Sequence, residues 1–138
     1  MKILYVSHRY HTNQVHIMKG WYDRNVEVMF LAQYEGVSEI HDYVTFCRMK
    51  PSLVTRIMNY YIDKRYNASL GEGKKTSLFI PNMWHVLSLL RKFRPDIVIL
   101  RDYTIYNMMI NAACKLLHIN KVIMYSQIPL YGYKAHRH

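Results

Sequence analysis

The sequence predicts an α/β domain with a Rossmann-like doubly wound parallel sheet, built in three α/β/α layers. Three observations predict it. Short runs of continuous apolar and β-branched residues, such as Ile3-Leu4-Tyr5-Val6 and Ile97-Val98-Ile99-Leu100, suit strands buried on both faces. Segments with apolar residues at helical spacing alternate with these runs, the pattern of right-handed crossovers between parallel strands. No linker, internal repeat or low-complexity stretch divides the 138 residues, a length that suits one domain.

Each element has a local reason. Lys2 to Ser7 is the first strand, and His8 to Asn13 is read as a polar loop. Val15, Met18 and Tyr22 then recur at helical spacing, with Ile17 and Trp21 beside them. Thr12 or Asn13 can cap that helix by accepting from first-turn amides. It ends near Arg24-Asn25, where asparagine tolerates a left-handed exit. Val26 to Gln33 is the second strand, and Val44 to Arg48 the third, after a loop with Gly36 and three acids. Pro51 is expected at the favoured first position of a helix reaching about Tyr66. Its expected core stripe is Leu53, Val54, Ile57, Met58, Tyr61 and Ile62, with Arg56, Asn59, Asp63 and Lys64 largely off it. Gly71 to Lys75 reads as a flexible loop. Pro81 opens a helix to about Phe93, with Met83, Val86, Leu87, Leu90 and Phe93 as its stripe. Pro95-Asp96 breaks the chain before the strand Ile97 to Leu100. A helix from about Thr104 to Leu117, a strand from Lys121 to Ser126 and an irregular end complete the pattern.

Composition narrows the class. Apolar residues make up 51% and charged ones 20%, which supports a packed core rather than disorder. Nineteen lysines and arginines against nine acids leave a formal charge of +10. Such an excess attracts nucleic acid, membrane phosphates or a phosphorylated small molecule. Between Arg48 and Lys75 lie seven basic residues and two acids, either a solvated face or a phosphate or membrane contact. Cys47 and Cys114 form no disulfide framework or metal-ligand spacing, which fits a reducing cytoplasm. No signal-peptide pattern opens the chain, and no apolar run approaches the ~20 residues of a membrane span. His8, His11 and His16 lack a cysteine or carboxylate partner at a recognised spacing, so no metal site is expected.

In an open α/β sheet, ligands bind beyond the carboxyl ends of the strands. That rule selects His8, Arg9, Tyr10, His11, Thr12 and Asn13 after the first strand, Arg101, Asp102 and Tyr103 after the fourth, and Ser126 and Gln127 after the last. The first helix aims its amino-terminal amides at this crevice, favouring an anion, and Arg9 and Arg101 can add charge-assisted hydrogen bonds. Asp102 is the only acid at a predicted strand tip and can assist a hydroxyl group. There is no G-x-G-x-x-G and no G-x-x-x-x-G-K-[ST], so no dinucleotide or P-loop cofactor is expected. Nucleic-acid binding would rest on charge alone, so no nucleic-acid partner is expected.

Three pieces carry a resemblance. Met1-Lys2-Ile3-Leu4-Tyr5-Val6-Ser7, a polar loop and a helix lead into Arg24-Asn25-Val26-Glu27-Val28. Arg94-Pro95-Asp96-Ile97-Val98-Ile99-Leu100-Arg101 and Val122-Ile123-Met124-Tyr125-Ser126-Gln127 follow in the same order. Together they resemble the amino-terminal, acceptor-side domain of GT-B fold glycosyltransferases, most similarly the retaining glycosyltransferase family 4. The resemblance covers nearly the whole chain but only one half of such an enzyme.

It implies a transferase that moves sugar from a nucleotide-sugar donor to a polysaccharide or lipid-linked acceptor in cell-envelope synthesis, with no obligatory metal. A second domain, outside this chain, would grip the donor with paired glutamates, so these residues alone are expected to be inactive. Two departures stand out. The Gly-Gly pair that family members often carry in the first loop is replaced by His8 to Asn13. Arg101-Asp102 and Ser126-Gln127 stand where a crevice histidine is common. The basic helix adds an expected peripheral contact with anionic membrane, at the inner face of the cell membrane, through Arg56, Lys64, Arg65, Lys74 and Lys75. The alternative is a stand-alone Rossmann-like module that binds an anionic ligand or a partner without catalysis.

Overall fold

A computed structural model of the chain describes residues 1–10, 14–34, 42–66 and 79–126. The elements run β1 (Lys2–Arg9), α1 (Val15–Asp23), β2 (Glu27–Tyr34), β3 (Thr45–Arg48), α2 (Leu53–Tyr66), α3 (Met83–Phe93), β4 (Ile97–Arg101), α4 (Ile105–Leu116) and β5 (Val122–Tyr125). Among the described residues all strand pairings in the sheet are parallel, in the order β3-β2-β1-β4-β5. The expected doubly wound parallel sheet is therefore the architecture of this chain.

Register sorts the core. Leu4 pairs with Met29 on one side and Val98 on the other, so alternate residues of the central strands share a face. One face carries Leu4, Val6, Leu31, Val98 and Leu100 against Val86, Leu90 and Phe93 of α3 and Tyr106, Ile110 and Cys114 of α4. The other carries Ile3, Tyr5, Val28, Phe30 and Ala32 against Met18 of α1, with Val15 and Trp21 alongside. Chain direction explains the split. The step from β1 to β2 runs one way across the sheet and that from β4 to β5 the other. Right-handed crossovers thus place α1 and α4 on opposite faces. On the α1 side, Phe30 stacks on Tyr5 at 5.1 Å and meets the Tyr10 ring at 4.6 Å.

Helix ends follow local chemistry. Asn25 takes φ 60° after α1, as its type allows, and Arg94 takes φ 50° after α3. Asn82 caps α3 by accepting from the Trp84 and His85 amides. Thr104 caps α4 by accepting from the Asn107 amide. Three expectations need correction. β1 runs on to Arg9, so His8 and Arg9 belong to the strand and not to a loop. Pro51 and Pro81 precede the caps and pair with each other in an isolated antiparallel bridge, and Ser52 supplies the α2 cap by accepting from the Thr55 amide at 3.2 Å. α1 begins after Gln14, whose side chain makes no cap hydrogen bond, while Thr12 and Asn13 lie outside the described residues.

The largest correction concerns α2. Leu53, Val54, Ile57, Tyr60 and Tyr61 are exposed, Leu53 by 71%, and Met58 is half-buried. The buried residue is Thr55, whose hydroxyl accepts from Ile80 N at 2.8 Å and donates to Ile80 O at 2.9 Å. The apolar row of this helix faces outward. Tyr22 and Ile17 of the expected α1 stripe are likewise exposed.

Candidate functional site

The sheet's switch point lies between β1 and β4, where the winding reverses, and crevices form there at the carboxyl ends. Val6 pairs with Leu100, so the tips of β1 and β4 sit side by side. Arg101 pairs with Tyr125, which brings in the tip of β5.

The β4–α4 turn is tied down by hydrogen bonds. Asp102 has φ 72°, a left-handed conformation that aspartate adopts more readily than most residues. Its amide donates to Tyr125 O at 2.6 Å. Asn107, fully buried in the first turn of α4, donates from Nδ2 to Arg101 O at 2.5 Å and to Asp102 O at 2.9 Å. The turn is thus held from both sides, and a backbone strained at a strand tip is a recognised mark of functional sites. Ser126 Oγ donates to Asp102 Oδ1 at 3.4 Å. Among the described residues this is the carboxylate's one side-chain hydrogen bond, and Asp102 itself is half-buried. Tyr103 is exposed beside it.

Arg101 is half-buried and sets the local field. It draws down the pKa of both Tyr5 and Tyr106, but burial outweighs it. Burial first, and then the Tyr125 hydrogen bond, push the Tyr5 phenol well above its ordinary value. Burial pushes Tyr106 up to about 12 despite the Thr104 hydroxyl. The phenols of Tyr5 and Tyr125 lie 2.5 Å apart, and Gln14 Nε2 donates to Tyr5 at 3.5 Å. Tyr5 thus stays a neutral hydrogen-bonding group near neutral pH.

The expected site residues divide accordingly. Arg101, Asp102, Tyr103 and Ser126 come together. His8 is half-buried at the end of β1 and Arg9 is exposed. Tyr10 is 0% exposed, packed on Phe30, and so belongs to the core and cannot line a crevice. A tyrosine just past a strand, read as polar loop, was drawn inward by its ring. His11, Thr12, Asn13, Gln127, Lys74 and Lys75 lie outside the described residues. Arg56 is exposed on α2, and the backbone at Lys64 and Arg65 continues that helix.

Two features escaped the sequence reading. Asn107 is one, although an asparagine three residues after a threonine cap is placed to reach back to the preceding turn. The second is a hollow of about 450 Å³ over the carboxyl ends of β2 and β3, lined by Gln33, Tyr34, Arg48, Lys50, Asn59 and Phe79 among others. The strand-end rule pointed equally to Gln33 and Arg48, which end the second and third predicted strands.

Compared with known proteins, the chain matches no family model and no curated relative.

Proposed function

We propose that this chain is the acceptor-binding half of a glycosyltransferase that passes sugar from a nucleotide-sugar donor to a lipid-linked or polysaccharide acceptor. The observation that carries this reading is the held turn at Asp102. Asn107 and Tyr125 hold the Asp102 backbone at the switch point, and the carboxylate accepts from the Ser126 hydroxyl. A carboxylate so placed accepts a hydrogen bond from an acceptor hydroxyl and orients that oxygen for attack on the donor's anomeric carbon. Arg101, next to it, offers a charge-assisted contact to an anionic acceptor group. The sequence resemblance supplies the donor half of the reading.

The outward face of α2 supports a lipid-linked acceptor. Leu53, Val54, Ile57, Tyr60 and Tyr61 form one exposed row, flanked by Arg56 and continued in sequence by Lys64. Trp84, 81% exposed, lies in the first turn of neighbouring α3. Aromatic, aliphatic and basic residues on one face are the chemistry of contact with an anionic bilayer surface. Among the described residues, no helix is long and apolar enough to cross a membrane.

The intact gene product, given a panel of nucleotide sugars and lipid-linked acceptors, should release nucleotide only when an acceptor is present. Asp102→Asn should lower kcat by about 10² or more. Turnover within twofold of the parent removes Asp102 from the mechanism. No transfer with any pair favours the stand-alone binding module. In co-sedimentation, phosphatidylglycerol vesicles should capture the chain and phosphatidylcholine vesicles should not. Charge reversal at Arg56, Lys64, Arg65, Lys74 and Lys75 should release it, and unchanged capture removes the membrane contact.

A further inference from the structure

We infer that the hollow over the carboxyl ends of β2 and β3 is a second binding site, built for a small hydroxylated anion such as a phosphorylated or carboxylated sugar. It is separate from the switch-point crevice, since β1 stands between β2 and β4 in the sheet. It requires no sugar transfer, so it stands or falls apart from the reading above.

Four observations converge on it. The first is charge. Among the described residues, Arg48 and Lys50 line the hollow and no carboxylate does. The comparable hollow near the amino ends of the same strands is lined by Glu27 and Asp42 instead, so the basic lining does not simply follow from the net charge. The second is geometry. Arg48 Nε donates to Gln33 O at 3.4 Å. That contact orients the guanidinium and leaves its two terminal nitrogens for the paired contact that phosphate and carboxylate favour.

The third is an orphaned acceptor. Gln33 is only 4% exposed, it lines the hollow, and its Oε1 has no hydrogen-bond partner among the described residues. A buried carbonyl without a donor costs stability, so its presence beside two cations points to a ligand that donates. A carboxylate, or a phosphate ester that has lost both its protons, does not donate, whereas a sugar hydroxyl does. The ligand therefore needs both an oxyanion, for Arg48 and Lys50, and a hydroxyl, for Gln33. The fourth is shape. About 450 Å³ falls in the range of small-molecule sites. Met49 and Phe79 supply an apolar wall and Asn59 of α2 a further amide.

Calorimetric titration of the chain with glucose 1-phosphate, glucuronate, glucose and inorganic sulfate, which keeps no proton to donate near neutral pH, tests the inference. The two anionic sugars should bind at least tenfold tighter than either glucose or inorganic sulfate, and their ratio tells which oxyanion is preferred. Arg48→Gln with Lys50→Gln should remove that preference, and Lys50→Gln alone should reduce it. Gln33→Met, which keeps the shape and deletes the orphaned acceptor, should leave Tm unchanged or raise it while weakening the anionic sugars. The inference is overturned if anionic sugars show no advantage over glucose, or if the advantage survives in the double variant. Inorganic sulfate binding as tightly as glucose 1-phosphate overturns the hydroxyl requirement. Asp102→Asn should leave these affinities unchanged, which separates this site from the catalytic proposal.

Discussion

α2 and α3 open in the same way. Each has a proline, then a polar residue whose side chain accepts from the first-turn amides, then an apolar residue. The two openings are also tied together, Ser52 N donating to Ile80 O at 2.9 Å and Asn82 N to Lys50 O at 2.8 Å. Their faces then diverge. α3 buries Val86, Leu90 and Phe93, while α2 turns its apolar row outward and buries Thr55. The difference lies in the anchor. Thr55 satisfies both backbone groups of Ile80, and rotating α2 to bury Ile57 would strip those bonds. Ile80 N left without a partner, and Ile80 O left with Ser52 N alone, offset the gain from one aliphatic side chain. An apolar stripe thus identifies a helix reliably, but does not say which side of it meets the core.

The sharpest way to break this comparison is truncation on each helix. Leu90→Ala should cost about 2–5 kcal/mol by cavity formation, whereas Ile57→Ala should stay within about 0.5 kcal/mol, as exposed substitutions do. Urea unfolding measures both. Equal losses would mean that the α2 row is covered in solution. Thr55→Val comes next. It keeps the shape, leaves Ile80 without its partner, and should cost about 1–3 kcal/mol. A neutral result would remove Thr55 as the anchor.

The smallest effect is in pH. Burial first, and then the charge of Lys50, lower the pKa of His85 on α3 below its ordinary 6.5. The unfolded chain then binds the proton more readily than the folded one. Stability from this group is present above pH 6.5 and is lost as pH falls through the lower folded value. His85→Gln should flatten that part of a Tm-against-pH curve. An unchanged slope would mean that His85 is hydrated in solution.

Much of the fold was legible because it rests on local chemistry. The apolar runs Ile3–Val6 and Ile97–Leu100 read as buried strands since both their faces are covered. Asn25 and Thr104 mark helix ends through properties of their own side chains. The candidate site was legible in part. Arg101, Asp102 and Ser126 follow from strand ends alone, because parallel strands bring their carboxyl tips to one edge. Tyr10 did not follow, since whether a ring after a strand turns in or out depends on the neighbour waiting for it, here Phe30. Gln33 and Arg48 meet only because β2 and β3 pair in the register Ala32 with Arg48.

By itself, then, the sequence determined where strands and helices form, that the sheet is parallel, and which edge gathers the polar tips. These depend on periodicity, caps and crossover handedness, all short-range properties of the chain. Only the tertiary structure decided that Thr55 faces inward and Ile57 outward, that Asn107 holds Asp102 in a left-handed turn, and that Gln33 Oε1 is buried without a donor among the described residues. Each of these depends on a partner distant in sequence or on the turn of a loop. Burial and hydrogen-bond satisfaction are settled between such partners, not within the segment that carries the residue.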